Sequence, residues 1–184
     1  MTMARTRTKN ICLCALFTAL ITVGAFIKIP LPPVPFTLQV EFVFLAGLIL
    51  GAFWGSLSLW IYVFMGLIGL PVFTQGGGLA YVFNPSFGYL IGFGISAFVM
   101  GWFVERKSEP SYLRLLIACF IGLAISYASG MIYYYLISTL YLGKSVEIWW
   151  LIWNFFLIII PKDIILSFLV AFIAKRVKPV INKM

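Results

Sequence analysis

The sequence predicts an all-α integral membrane protein, a bundle of six transmembrane helices. Its 184 residues are 63% hydrophobic and only 10% charged, a composition that excludes a soluble domain. The apolar segments are long runs rather than ten-residue alternating strands, which excludes an outer-membrane barrel. A helix suits such runs because it satisfies every backbone polar group within its own segment. We therefore expect residues 1–184 to form a single transmembrane domain.

Six segments fit membrane helices, and their ends coincide with prolines, glycines or charges. The expected helices cover residues 11–27, 39–53, 57–70, 87–104, 112–140 and 148–175. The first resembles a secretory signal, but no small-x-small cleavage site follows it, so we expect an uncleaved span. Glu41 falls at the entry of the second helix, where a carboxylate suits the positive end of the helix dipole.

The stretch between residues 42 and 104 contains no charged side chain. It is too long for two spans, so three helices must share it with turns that need no charge. Gly51, Gly55 and Ser56 predict a tight turn around Trp54, between the second and third helices.

Two apolar loops have unusual compositions. Residues 28–39 contain four prolines, which predict a stiff, extended connection, either a lid over a cavity or an inert connector. Residues 73–86 combine three glycines with aromatic side chains, and loops of this length are usually functional. In this loop Gln75 and Asn84 offer amide donors and acceptors, although Asn84 and Ser86 are equally suited to cap the fourth helix.

The basic residues predict the orientation in the membrane. The N-terminus, the loop at residues 105–114 and the C-terminus hold ten basic residues, against Lys28 and Lys144 on the opposite side. The positive-inside rule makes the first side cytoplasmic, with both termini. The proline-rich and glycine-rich loops are then external. The net charge of +8 reflects this topology and does not indicate nucleic-acid binding.

A polar interruption, Pro161-Lys162-Asp163, occurs within the last predicted helix. One charged side chain at the centre of a span costs about 2.5–3.5 kcal/mol. Neighbouring side chains on a helix point about 100° apart, so we expect Lys162 and Asp163 not simply to neutralise one another. We interpret this interruption as the wall of a ligand cavity beneath the external loops. The alternative is a buried ion pair that holds two helices together.

Several function classes are disfavoured. There is no histidine and no cluster of acidic residues, so we expect no metal, no cofactor and no enzymatic activity. Gly143-Lys144-Ser145 lacks the glycine of a phosphate-binding loop five positions earlier, which argues against nucleotide binding. A stand-alone, ion-coupled small-molecule transporter is the alternative to a binding subunit. A single Lys–Asp pair offers few groups for a proton relay, and the sequence has no internal repeat. Both observations weigh against an ion-coupled transporter.

The chain resembles the BioY family, the biotin-specific S components of energy-coupling factor (ECF) transporters. The resemblance is carried by Pro32–Gln39, Gly66–Phe73, Gly76–Gly78, Asn84–Phe93 and Pro161-x-Asp163. It implies a six-helix bundle in the bacterial cell membrane that binds biotin near the outer face. It also implies docking on a transmembrane coupling protein driven by two cytoplasmic ATPases. Ala15-x-x-x-Ala19 matches the motif through which the first helix of such subunits contacts the coupling protein.

The chemistry of biotin suggests roles for the polar residues. Asp163 can accept hydrogen bonds from the ureido N–H groups, and Asn84 or Gln39 can donate to the ureido carbonyl. Lys162 can pair with the valerate carboxylate, unless Asp163 only neutralises Lys162. Many family members carry a lysine three residues beyond this aspartate, where this chain has Leu166. The remaining candidate binding residues are Thr37, Gln75, Tyr89 and Trp54.

Overall fold

The computed structural model describes residues 2–30, 34–107, 109–143, 147, 149, 152–153 and 160–183. Within them lie six α-helices, which confirms the predicted all-α fold. These are α1 (Thr2–Phe26), α2 (Gln39–Leu50), α3 (Ala52–Leu67), α4 (Phe87–Glu105), α5 (Tyr112–Leu136) and α6 (Ile160–Lys183). Two-residue strands β1 (Lys28–Ile29) and β2 (Phe36–Thr37), a 3-10 helix (Leu79–Phe83) and a π-helical turn (Ile137–Tyr141) complete the described elements.

Three of the described helical segments are long and apolar enough to cross a membrane: Arg7–Phe26, Phe87–Glu105 and Tyr112–Tyr141. The helices α2 and α3 are apolar but shorter, with 12 and 16 residues. In the predicted last helix, residues 148, 150–151 and 154–159 lie outside the described residues. Described α6 extends to Lys183 and carries Lys162 and Asp163 in its first turn.

Helix α4 packs against α2, α3 and α5. Its closest partner is α5, and glycines make this approach possible. A Cβ atom at Gly92 would lie 1.9 Å from Ser129 Oγ, and one at Gly88 would lie 2.1 Å from Tyr133 Cβ. Two small residues four positions apart form a flat helix face, which allows close helix packing within a membrane.

The predicted turn around Trp54 is wrong, because Gly51 alone connects α2 to α3. Gly51 has φ of +87°, a conformation that glycine adopts without steric cost. The first N–H of α3 donates to Glu105 Oε1 at 3.2 Å, so α3 begins at once. Gly55 lies inside α3, where a Cβ atom would be 2.7 Å from the Ala46 carbonyl oxygen. Close helix contact, and not a turn, therefore accounts for Gly55.

The proline-rich connection folds back on itself. Its described ends pair as antiparallel strands, with Lys28 opposite Thr37 and Ile29 opposite Phe36, while residues 31–33 lie outside the described part. The connection is therefore a short hairpin and not one extended segment.

The glycine-rich loop is hydrogen-bonded to α3 on one side and to α5 on the other. The Gly78 N–H donates to the Gly66 carbonyl of α3 at 2.7 Å. On the other side, the Tyr133 hydroxyl of α5 donates to the Val82 carbonyl. These bonds fix the loop across the end of the bundle.

The two termini lie at one end of the bundle, together with the loop between α4 and α5. Three lysine side chains bind backbone carbonyls there: Lys9 to Ile181 (3.0 Å), Lys175 to Pro110 (2.9 Å) and Lys178 to Leu48 (2.7 Å). This arrangement agrees with the topology expected from the basic residues, which assigns this end to the cytoplasm.

Candidate functional site

A cavity lies between the helices and the two loops. About 560 Å³ of space lies between the protein atoms there, part of it open to solvent. The proline-rich connection contributes Val34 and Pro35, and the glycine-rich loop contributes Thr74. Lys162 of α6 and Gln39 of α2 line the same space. The structure thus brings both loops and the polar interruption of the last helix to one cavity.

Lys162 is the centre of a buried charged cluster. Its Nζ atom lies 3.2 Å from Glu41 Oε1 and also forms an ion pair with Asp163 Oδ1. The same ammonium donates to the Thr37 carbonyl at 2.6 Å and lies 4.4 Å from the centre of the Phe36 ring. The side chains of Lys162 and Glu41 are 13% and 12% exposed, and that of Asp163 only 1%.

We expect from the sequence that Lys162 and Asp163 do not simply neutralise one another; the structure shows that they do form an ion pair, but one that Lys162 shares with Glu41. The two Cβ atoms do diverge on the helix, but the long lysine side chain bends back until its ammonium reaches the carboxylate. The cluster still holds two carboxylates for one ammonium, so its formal charge with all three groups ionised is −1.

Asp163 lies behind two side chains that line the cavity. Its Oδ2 atom accepts a hydrogen bond from the Tyr127 hydroxyl of α5, and its Oδ1 atom faces the Lys162 ammonium. Both Tyr127 and Lys162 line the cavity. A ligand therefore reaches the Asp163 carboxylate only when one of these side chains gives way.

Several buried polar atoms near the cavity have no hydrogen bond to the described residues. These are Gln39 Nε2, Asp163 Oδ1 and both carboxylate oxygens of Glu41. The carboxylates of Asp163 and Glu41 are compensated by their ion pairs with Lys162. The Gln39 amide nitrogen has only a weak interaction with the Tyr62 hydroxyl, outside hydrogen-bond geometry. Buried polar groups in proteins nearly always find partners, so an under-satisfied donor beside a cavity is a candidate for contact with a ligand acceptor.

The glycine-rich loop roofs the cavity with linked hydroxyl groups. The Tyr81 hydroxyl lies 2.9 Å from Thr74 Oγ1 and 3.3 Å from Ser86 Oγ. Asn84 and Gln75 hold the loop itself together, with the Asn84 amide donating to Gln75 Oε1 at 2.8 Å. Asn84 Oδ1 also accepts from the Ser86 N–H at 3.0 Å. In this structure Asn84 and Gln75 therefore shape the roof, while Tyr81, Thr74 and Ser86 line the cavity.

The remaining candidates separate into two places. Tyr89 is buried, lines the cavity and contacts Tyr127 edge to face, with ring centres 6.1 Å apart. Trp54 lies in the first turn of α3, at the end of the bundle that carries the two termini, because Gly51 alone forms the turn that precedes α3. The structure does not bring Trp54 to the cavity.

A second, strongly apolar groove runs along α1 and α3. Ala15 and Ala19 line it with exposed side chains, and Trp54 lies in the same groove. The two helices are joined beneath it by the Thr18 hydroxyl, which donates to the Ser58 carbonyl at 2.9 Å. The groove places the two small residues on the outside of the bundle, where another helix has access.

Sequence reasoning did not identify Glu41 and Tyr127 as parts of the charged cluster. Glu41 carried a usable signal, since it falls within the predicted second helix and an ionisable residue within a membrane span is a candidate for a functional site. Tyr127 carried none, because α5 contains several tyrosines and only the packing decides which one faces Asp163.

Comparison with known proteins agrees with this architecture. Residues 1–183 match the model of the BioY family. The biotin transporter BioY of Thermotoga maritima is 50% identical over 117 residues, which cover 63% of this chain and 68% of that protein. The BioY protein of Lactococcus lactis subsp. cremoris is 32% identical over 180 residues, covering 94% and 92%. A crystal structure of the S-component for biotin from an ECF-type ABC transporter superposes with a TM-score of 0.81 at 30% identity, covering 97% of this chain and 95% of that one.

The helical bundle, the roofed cavity and the buried charged cluster define a multi-pass membrane protein with the S-component fold. The match over nearly its whole length identifies it further: the chain belongs to the BioY family.

Proposed function

We propose that this protein is the biotin-binding S component of an ECF-type transporter in the bacterial cytoplasmic membrane. It captures biotin at the external side and has no ATPase activity of its own. The observation that supports this most directly is the roofed cavity, in which an under-satisfied amide donor and buried carboxylates lie close to a small number of aromatic rings. A few placed polar groups in an apolar pocket are the usual design of a small-molecule site.

The polar groups of the cavity complement a ureido ring. Such a ring presents two N–H donors and one carbonyl acceptor. In this proposal Asp163 accepts from the ring N–H groups, and the Gln39 amide donates to the ring carbonyl. Thr37 and Lys162 border the same space, and Tyr89 packs against the apolar part of the bicyclic ring. Asn84 and Gln75 act through the shape of the roof.

The groove between α1 and α3 is proposed as the docking surface for a transmembrane coupling protein. Ala15 and Ala19 are four residues apart and exposed, and small residues at this spacing let a second helix approach closely. Two cytoplasmic ATPases would act on that coupling protein. Capture and energy supply are thereby separated onto different chains.

An experiment on the isolated protein tests this assignment. The purified chain is assayed for equilibrium binding of labelled biotin in detergent, then for uptake into liposomes without any partner. We expect tight binding and no accumulation. Accumulation driven by an ion gradient would contradict the proposal and support an ion-coupled transporter, and a chemically altered ligand would indicate an enzyme.

A further inference from the structure

We propose that Glu41 is a positioning residue for ligand binding, because it holds the Lys162 ammonium while the ligand occupies the Asp163 carboxylate. The inference rests on the proposed function and adds to it a residue that does not line the cavity. Lys162 is thereby a movable cover over Asp163, and Glu41 is the group that makes its movement possible.

The contacts of the ammonium support this exchange. Lys162 Nζ is shared between the carboxylates of Glu41 and Asp163. The Asp163 Oδ1 atom has no hydrogen bond among the described residues apart from this ion pair. A ligand N–H that binds Oδ1 must take the place of the ammonium. The displaced ammonium does not have to leave the cluster, since Glu41 Oε1 is already 3.2 Å away.

The charges explain why Glu41 is required. Without it, an ammonium that gives up Asp163 keeps only the Thr37 carbonyl and the Phe36 ring as the partners that the structure describes. A buried charge without a counter-ion is strongly unfavourable, so Lys162 would stay on Asp163 and compete with the ligand. With Glu41 present, both the empty and the occupied states leave Lys162 paired. Glu41 thus lowers the free-energy cost of opening the site without touching the ligand.

The test compares biotin dissociation constants of four purified proteins: the unchanged chain, Glu41→Gln, the double variant Glu41→Gln/Lys162→Met, and Glu105→Gln. Glu41→Gln leaves one ammonium facing one carboxylate, and we expect binding about tenfold weaker. The double variant also removes the competing ammonium, so we expect it to bind biotin at least about threefold more tightly than Glu41→Gln does. Glu105→Gln is the matched control, because Glu105 caps α3 at the opposite end of the bundle, and it should leave affinity unchanged.

The outcomes are distinguishable. If the unchanged chain does not bind biotin, the proposed function fails. If it binds and Glu41→Gln binds equally well, only this inference fails. If the double variant binds no better than Glu41→Gln, Glu41 acts on the ligand or the fold directly and the exchange is overturned. The melting temperature of each variant is measured in parallel without biotin. If Glu41 had a purely structural role, the biotin affinity of the variants would fall together with the melting temperature. The Lys162→Met substitution would then not restore that affinity.

Discussion

At the scale of single residues, the proposed role of Gln39 makes opposite predictions for the stability of the protein and for its affinity for biotin. The Gln39 side-chain nitrogen is buried and interacts only weakly with the Tyr62 hydroxyl, and such an under-satisfied donor costs at most about 1–3 kcal/mol. We predict that Gln39→Met, which conserves approximate volume, leaves the melting temperature of the ligand-free protein unchanged or raises it. Biotin binding should weaken about tenfold, because the ring carbonyl loses its donor.

Thermal unfolding and equilibrium binding of the same preparation check this prediction. The matched control is Gln75→Met in the roof loop, where the amide already accepts from Asn84 at 2.8 Å. Gln75→Met removes that hydrogen bond, so it should lower the melting temperature and not raise it. A Gln39→Met protein that melts earlier, yet binds biotin normally, would show that the amide is structural.

Single residues were predictable from the sequence where charge marked them. Lys162 and Asp163 are site candidates from the sequence because ionised groups within a membrane span need partners. The structure places Lys162 at the cavity and Asp163 directly behind it. Trp54 was a poor candidate for a physical reason, since aromatic side chains are abundant here and serve in packing, at the lipid boundary and in pockets alike. Only three-dimensional packing distinguishes Trp54, far from the cavity, from Tyr89 and Tyr127, which line it.

At the scale of secondary-structure elements, α1 offers a separate test of partner docking. We predict that Ala15→Trp combined with Ala19→Trp leaves biotin binding by the isolated chain intact. The bulky side chains should fill the groove between α1 and α3, so biotin uptake with the coupling protein and ATPases is lost. Binding of labelled biotin and uptake by reconstituted complexes measure the two effects separately.

The control for this pair is Leu16→Trp, on the same helix. Leu16 is 53% exposed and does not line the groove. This variant should keep both binding and uptake. Loss of binding in the alanine-to-tryptophan variant would mean that this face of α1 packs inside the protein.

Element boundaries were only partly predictable. The starts of α2, α4 and α5 fall where the sequence placed them, because proline, serine or charge precedes each one. The position of the turn between α2 and α3 was not predictable, since nothing in the sequence distinguishes the role of Gly51 from that of Gly55. One adopts positive φ and the other admits a neighbouring helix, a distinction that depends on packing. The hairpin formed by the proline-rich connection likewise depends on backbone pairing that proline content does not reveal.

At the scale of the whole molecule, the two ends of the bundle have different tasks. One end carries both termini and lysines that bind backbone carbonyls, which anchors it at the basic side of the membrane. The other end is closed by two loops above the cavity. A buried charged cluster between helices α2, α5 and α6 connects the cavity to the helical framework. This division fits a subunit that binds on one side and is driven from the other.

The Asp163 carboxylate is the central acceptor for the ligand in the proposed site. Its removal by Asp163→Asn keeps the size of the side chain, and the measurement is the equilibrium dissociation constant for biotin of the purified, correctly folded variant. We predict binding at least about tenfold weaker than that of the unchanged chain, because a charge-assisted hydrogen bond is lost. Unchanged affinity in a folded Asp163→Asn protein would contradict the central claim.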